Sequence, residues 1–317
     1  MADAKILEDL SIEELRAELR ARKARYEGVL AAPASEPLKG FDDATIIGTL
    51  KFKQKVIYGT DDRLDRYEVS DAAILADADS VVAIFQAASV NDNGNGTSTL
   101  NTENFGDSND LCQAERFRDQ PIGAFCSGFL VAPDIVATAG HCVNANTLGS
   151  CRFVFGFYME SATSARLTIS NQEIYRGIEL LGRQEVGTGP DWSLVRLDRP
   201  VTNHRVVSVR REGKIPDNQA VHVIGHPCGL PQKFAGGAGV RSNEREAFFV
   251  ANLDTYGGNS GSPVFNSATH QVEGILVRGE TDFAQQGNCS VSLVCPSTGC
   301  RGEDCTRTTE FASLIPV

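Results

Sequence analysis

The chain has 317 residues, 41% of them hydrophobic and 22% charged, and a formal net charge of -11. That length and apolar content support one large or two small domains with a sizeable core. No eighteen-residue apolar run is present, which excludes a membrane-spanning helix, and the acidic balance without a basic stripe argues against nucleic acid as a partner.

In chain order, Ser11 and Glu14 have the form of a capping box, and Ile12, Leu15, Leu19 and Tyr26 fall on one stripe, predicting a helix over residues 11–27. The Pro- and Ala-rich segment from Ala31 to Pro37 reads as a linker. Residues 1–55 are therefore expected to be an N-terminal helical extension and linker. From Val56 onward the texture becomes short β-branched runs separated by turn residues, the pattern of an all-β sandwich or barrel. The clearest predicted strands are Val81 to Phe85, Cys151 to Tyr158, Leu194 to Leu197, Val221 to Ile224, Phe248 to Ala251 and Gly274 to Val277. The loop from Asn91 to Gly96 has the spacing of a calcium loop's start. Only Asp92 is ionised there, and Thr102 stands where a bidentate Glu is needed, so no metal is expected.

Three segments carry chemistry. A hairpin of two apolar strands, Phe125 to Thr138, delivers His141 at its end, between Gly140 and Cys142. A Cys126–Cys142 disulfide across it would fix the histidine loop, and closing a loop of about 15 residues contributes about 3 kcal/mol in the chain-entropy model. Asp191 precedes an alternating strand and is the candidate carboxylate for that imidazole. Gly257-Gly258-Asn259-Ser260-Gly261-Ser262-Pro263 is a glycine-rich turn holding a serine. A serine hydroxyl is a weak nucleophile that needs a base, and the base needs an orienting acid. Taken singly, each segment reads as an ordinary turn or surface residue; together they answer one another.

The motifs T-A-G-H-C, D-W-S-L-V-R-L and G-N-S-G-S-P, in that order, resemble those of the chymotrypsin-like (trypsin-fold) serine proteases. Val56-Ile57-Tyr58-Gly59-Thr60-Asp61-Asp62-Arg63 and Asp254-Thr255-Tyr256 before the glycines are similar to the bacterial glutamyl endopeptidase (V8-like) branch. The resemblance covers residues 56–317. It implies two six-stranded antiparallel β-barrels and a serine endopeptidase working through an acyl-enzyme. It also implies Ser260 as nucleophile, His141 as general acid and base, Asp191 as orienting carboxylate, and the amides of Gly258 and Ser260 as the oxyanion hole. No cofactor is implied.

Departures from the family sharpen other expectations. Asn259 replaces the Asp that receives a freed N-terminus in the digestive enzymes, so activation is expected to follow the V8-like pattern, with cleavage between Lys55 and Val56 and Val56 completing the substrate pocket. Thr255 matches a pocket threonine of the glutamyl branch, but Leu276 stands where that branch has histidine. Arg278 is then a candidate cation for an acidic side chain, while Asp254 lies where trypsin-like enzymes carry the Asp that selects Lys or Arg. Charge permits either sign, and the branch resemblance favours acidic P1 residues, with Lys or Arg as the alternative. A catalytically silent binding protein on the same fold is the rival from another class. Nine cysteines point to a secreted or periplasmic, disulfide-bearing chain, although Met1 to Lys5 opens no apolar leader. Disulfides rather than zinc are expected for Cys289 to Cys305, since no C-x2-C pair occurs there. The expected partners are protein or peptide substrates, without membrane, and the expected state is a monomer.

Overall fold

A computed structural model describes residues 61–187, 189–279, 283–296 and 300–316, together with Glu18, Arg22, Leu38, Gly40, Phe41, Ile57 and Tyr58. The Ser11 capping box, most of the predicted helix over 11–27, the linker and Val56 lie outside these residues. Glu18 and Arg22 are helical, one turn apart and ion-paired at 2.9 Å.

Twelve strands build two barrels. The first uses β1 (Val81–Gln86), β2 (Cys126–Ala132), β3 (Ile135–Thr138), β4 (Cys151–Val154), β5 (Ile174–Glu185) and β6 (Asp191–Leu197). They pair in the order β4-β5-β6-β3-β2-β1, and β1 closes the ring on β4. The second uses β7 (Ala220–Gly225), β8 (Lys233–Ser242), β9 (Phe248–Ala251), β10 (Pro263–Asn266), β11 (Val272–Arg278) and β12 (Glu303–Arg307). Their order is β7-β10-β11-β12-β9-β8; β7 pairs with β8 to close the ring, and Leu64–Asp65 is added at the outside of β8. All pairings within the barrels are antiparallel, so the expected pair of six-stranded antiparallel barrels is what the chain forms.

The β-branched and aromatic runs form strands because both of their faces are covered. β2 and β3 are buried at every position, one face inside the barrel and the other under neighbouring segments. Register shifts between β5 and β6, and between β7 and β8, supply the bends that closure requires. The strand expected from Cys151 to Tyr158 stops at Val154 because Gly156 turns the chain at φ +83°.

Phe129, Val136, Phe153, Leu194 and Val195 fill the first barrel, in a cluster that continues to Phe265, Val272 and Ile275 on the second. Val223, Phe249, Leu253, Val264 and Leu276 fill the second barrel. The helix Ala72–Ala78, capped by Asp71 on the amides of Ala73 and Ile74, leads into β1 and was not legible as a period. Among the described residues no helix is long and apolar enough to cross a membrane.

Candidate active site

The edge of β3 delivers His141 through Ala139 and Gly140, and the glycine is required by close approach. A Cβ at Gly140 would lie 2.1 Å from the Gln184 carbonyl oxygen and 2.9 Å from Asp191 Oδ1. His141 therefore settles directly on Asp191, the first residue of β6. Its amide donates to Oδ1 at 3.0 Å, and its Nδ1 lies 2.7 Å from Oδ2. Since an ionised carboxylate only accepts, Nδ1 carries the proton and Nε2 presents its lone pair.

Asp191 is 3% exposed. Burial alone would raise its pKa, but the His141 ring, the His141 amide and Arg278 outweigh it and hold the carboxyl below the ordinary value. Its own amide donates to Thr306 Oγ1 at 3.1 Å, which ties β6 of the first barrel to β12 of the second.

Ser260 is 8% exposed, and its carbonyl accepts the Ser127 amide at 2.9 Å. Gly261 follows at φ +89°, where a Cβ would fall 2.0 Å from the Ser127 carbonyl oxygen and 2.3 Å from Thr138 Oγ1. The serine loop thus lies against the hairpin that carries His141. The Cys126–Cys142 disulfide forms at the same place, with Cys142 Sγ 3.7 Å from the Ser260 carbonyl oxygen. On the other side, the Gly261 amide donates to the Leu276 carbonyl at 2.8 Å and the Leu276 amide to the Ser262 carbonyl at 3.0 Å, locking the loop to β11. Gly258 sits at φ +79°. Asn259 is buried and internal to the loop: its Oδ1 accepts Ser262 Oγ at 2.7 Å, and its amide donates to the Tyr256 carbonyl at 3.2 Å.

The residues expected in the pocket separate into different roles. Asp254 turns to the N-terminal segment, accepting the Tyr58 amide at 2.6 Å on Oδ1 and the Asp62 amide at 3.3 Å on Oδ2. Burial, and then the neighbouring Asp62 carboxyl, push its pKa up to about 7 against the opposing Tyr58 amide. Arg278 is committed elsewhere than to a substrate acid: Nε donates to Asp304 at 3.1 Å, Nη2 to the Gly189 carbonyl at 2.6 Å, and Nη1 lies 3.9 Å from Asp191 Oδ2.

Thr255 is fully buried, and its Oγ1 donates to Glu303 Oε2 at 3.4 Å. The Glu303 carboxylate lies so close to Gly279 that a Cβ there would be 1.8 Å from Oε2. A buried carboxylate therefore stands between Thr255, just before the serine loop, and Gly279, just after β11. Sequence reading missed Glu303 because it sits in the cysteine-rich tail; the signal was an acidic pair, Glu303-Asp304, opening a strand between buried positions.

Three of the four tail cysteines pair as disulfides, Cys295 with Cys300 and Cys289 with the distant Cys112, while Cys305 is buried on β12 outside these bridges. Asp92, in the loop weighed for calcium, accepts the Gly94 amide at 2.9 Å and the Asn171 side chain at 3.3 Å. Ile57–Tyr58 pairs in parallel with Val294–Cys295.

No curated protein matches the chain. Among solved structures, a Glu endopeptidase in complex with MPD is 18% identical at TM-score 0.47, covering 82% of this chain and 97% of that one. The human heparin binding protein is 14% identical at TM-score 0.45, covering 75% and 89%. The VesB protease of Vibrio cholerae is 13% identical at TM-score 0.46, covering 82% and 67%. Likenesses this distant carry no argument. Residues 126–275 match the family described as the trypsin-like peptidase domain, a span running from the start of the His141 hairpin past Ser260. That match covers strands of both closed six-stranded barrels and marks this part of the chain as similar to the trypsin-like peptidases, in support of a serine endopeptidase.

Proposed function

We propose that the chain is a serine endopeptidase in which Ser260, His141 and Asp191 act as a triad, and that it cleaves after positively charged residues. The observation that carries the reaction is the two-point hold of Asp191 on His141, which leaves Nε2 as the base. Nε2 takes the Ser260 hydroxyl proton as Oγ attacks the scissile carbonyl. The carbonyl oxygen gains charge and is met by the amides of Gly258 and Ser260. The imidazolium that forms is stabilised by Asp191 and then gives its proton to the leaving amine. Water repeats the cycle on the acyl-enzyme, using neutral His141 as base again.

Glu303 supports the P1 reading. A buried carboxylate against Thr255 and Gly279 suits a lysine or arginine side chain and repels an acidic one, while Arg278 already spends its donors on Asp304 and Gly189. This favours the alternative over the acidic preference drawn from the glutamyl branch. The disulfides suit an oxidising, extracellular compartment. Cleavage between Lys55 and Val56 remains the proposed activation, supported by the pairing of Ile57–Tyr58 with Val294–Cys295 and by the Tyr58 amide on Asp254, four residues before the Gly258 amide.

Profiling a peptide library with the chain, before and after removal of residues 1–55, tests the reading. Cleavage after Lys and Arg, absent in Ser260→Ala, is expected. Cleavage confined to acidic P1 residues would overturn the P1 proposal, and no cleavage by either form would favour the silent binding protein.

A further inference from the structure

A second cluster of ligand-type side chains lies at the joint of the two barrels and takes no part in the chemistry above. Asp77, near the end of the helix that leads into β1, is fully buried. Its Oδ2 is 3.2 Å from His222 Nε2 on β7 and 2.5 Å from His270 Nδ1 on the turn between β10 and β11. The three donor atoms lie within 4.8 Å of one another. The other grouping of this kind among the described residues, Cys126, His141 and Cys142, is the hairpin disulfide together with the histidine of the candidate triad and belongs to the site already described.

We propose that Asp77, His222 and His270 form a binding site for a first-row divalent metal ion, zinc by preference. Two imidazoles and one carboxylate are a borderline donor set of the kind zinc and its neighbours take. Zinc bonds of about 2.0–2.2 Å in tetrahedral geometry place donor atoms roughly 3.3 Å apart. The spacing of 3.2 Å between Asp77 and His222 already meets this, while His270 must draw back from its 2.5 Å contact.

The surroundings favour that adjustment. His222 is 1% exposed, stacked on Phe265, and its Nδ1 is 3.1 Å from Ser267 Oγ, an outer contact that aims Nε2 at Asp77. His270 is partly exposed, on a turn where it adopts φ +56°, a conformation a residue with a side chain rarely holds. Its partial exposure to solvent would let water complete the coordination as a fourth ligand. Arg205 donates to Asp77 Oδ1 at 3.1 Å, so the guanidinium and the ion would use different oxygens. Since Asp77 precedes the first barrel while His222 and His270 belong to the second, the ion would staple the barrels together.

The test is titration of chelator-treated full chain with zinc by calorimetry and with cobalt by visible absorption. One equivalent is expected, with the cobalt bands of a tetrahedral site and a zinc-dependent rise in Tm of several degrees. Binding should vanish in His270→Ala, a partly exposed position whose fold is checked by circular dichroism, weaken about 10-fold to 100-fold in Ser267→Ala, and persist in His141→Ala. No uptake at micromolar free metal, equal uptake by His270→Ala, or loss of uptake in His141→Ala would each overturn the proposal.

Discussion

Asp191 holds His141 at two points, one carboxylate oxygen 2.7 Å from Nδ1 and the other 3.0 Å from the amide of the same residue. The backbone contact fixes where the loop stands and the side-chain contact fixes which nitrogen bears the proton. Because Thr306 Oγ1 accepts the Asp191 amide from the second barrel, the pair also depends on how the barrels are joined.

Replacing Asp191 by Asn keeps the size of the group and a hydrogen bond, but removes the acceptor-only character that forces the proton onto Nδ1. Steady-state kinetics of Asp191→Asn should show kcat lowered on the order of 10,000-fold with KM little changed. The carboxyl is held below its ordinary value, so its stabilising contribution is present above the unfolded carboxylate pKa and is lost as pH falls through the lowered folded one. Denaturation midpoints of wild type and Asp191→Asn should converge only in that acidic range.

Glu303→Gln tests the pocket. It keeps the shape facing Thr255 and Gly279 and removes the charge, so kcat/KM for peptides with Lys or Arg at P1 should fall about 100-fold, with a neutral P1 residue least affected. Arg278→Ala should behave differently. It removes one of the two guanidinium partners of the buried Asp304 carboxylate and leaves Arg301 on the other oxygen, costing about 1.5–3 kcal/mol of stability by chemical denaturation.

Much of this could be read from the chain itself. The buried strands announce themselves by β-branched runs, and His141, Asp191, Ser260 and the Cys126–Cys142 pair are each marked by short motifs. What stayed illegible depends on residues far apart in sequence. The commitment of Arg278 to Asp304 and the Gly189 carbonyl, the Cys112–Cys289 bridge, and the meeting of Glu303 with Thr255 arise only when the barrels close. Asp254 was misleading for the same reason. Its position suggested a substrate ligand, whereas folding gives it the Tyr58 amide.

The burial of Asp254 beside Asp62 predicts a pH dependence. The folded state keeps a proton on Asp254 up to about pH 7, well above the ordinary 3.8, because the group is buried and faces Asp62. Its contribution to stability is therefore complete below the ordinary carboxylate value and is lost as pH rises through about 7. Asp254→Asn cannot ionise, so its denaturation midpoint should change less between mildly acidic and neutral pH than that of wild type.

The Cys126–Cys142 bridge spans a sequence separation of 16 and closes the hairpin under both His141 and Ser260. Replacing both cysteines by Ala should cost about 3 kcal/mol in equilibrium unfolding. Activity should fall further than folded fraction accounts for, because the loops of base and nucleophile lose a shared anchor.

If His141 activates Ser260 as a nucleophile, the serine should react with an electrophilic phosphorus reagent only while the imidazole is present. Reaction with a fluorophosphonate, followed by peptide mapping of the chain with and without residues 1–55, measures this directly. A single adduct on Ser260 that disappears in His141→Ala is expected; no adduct in either form, or labelling of Ser260 that is unchanged in His141→Ala, would rule out activation of the serine by the histidine.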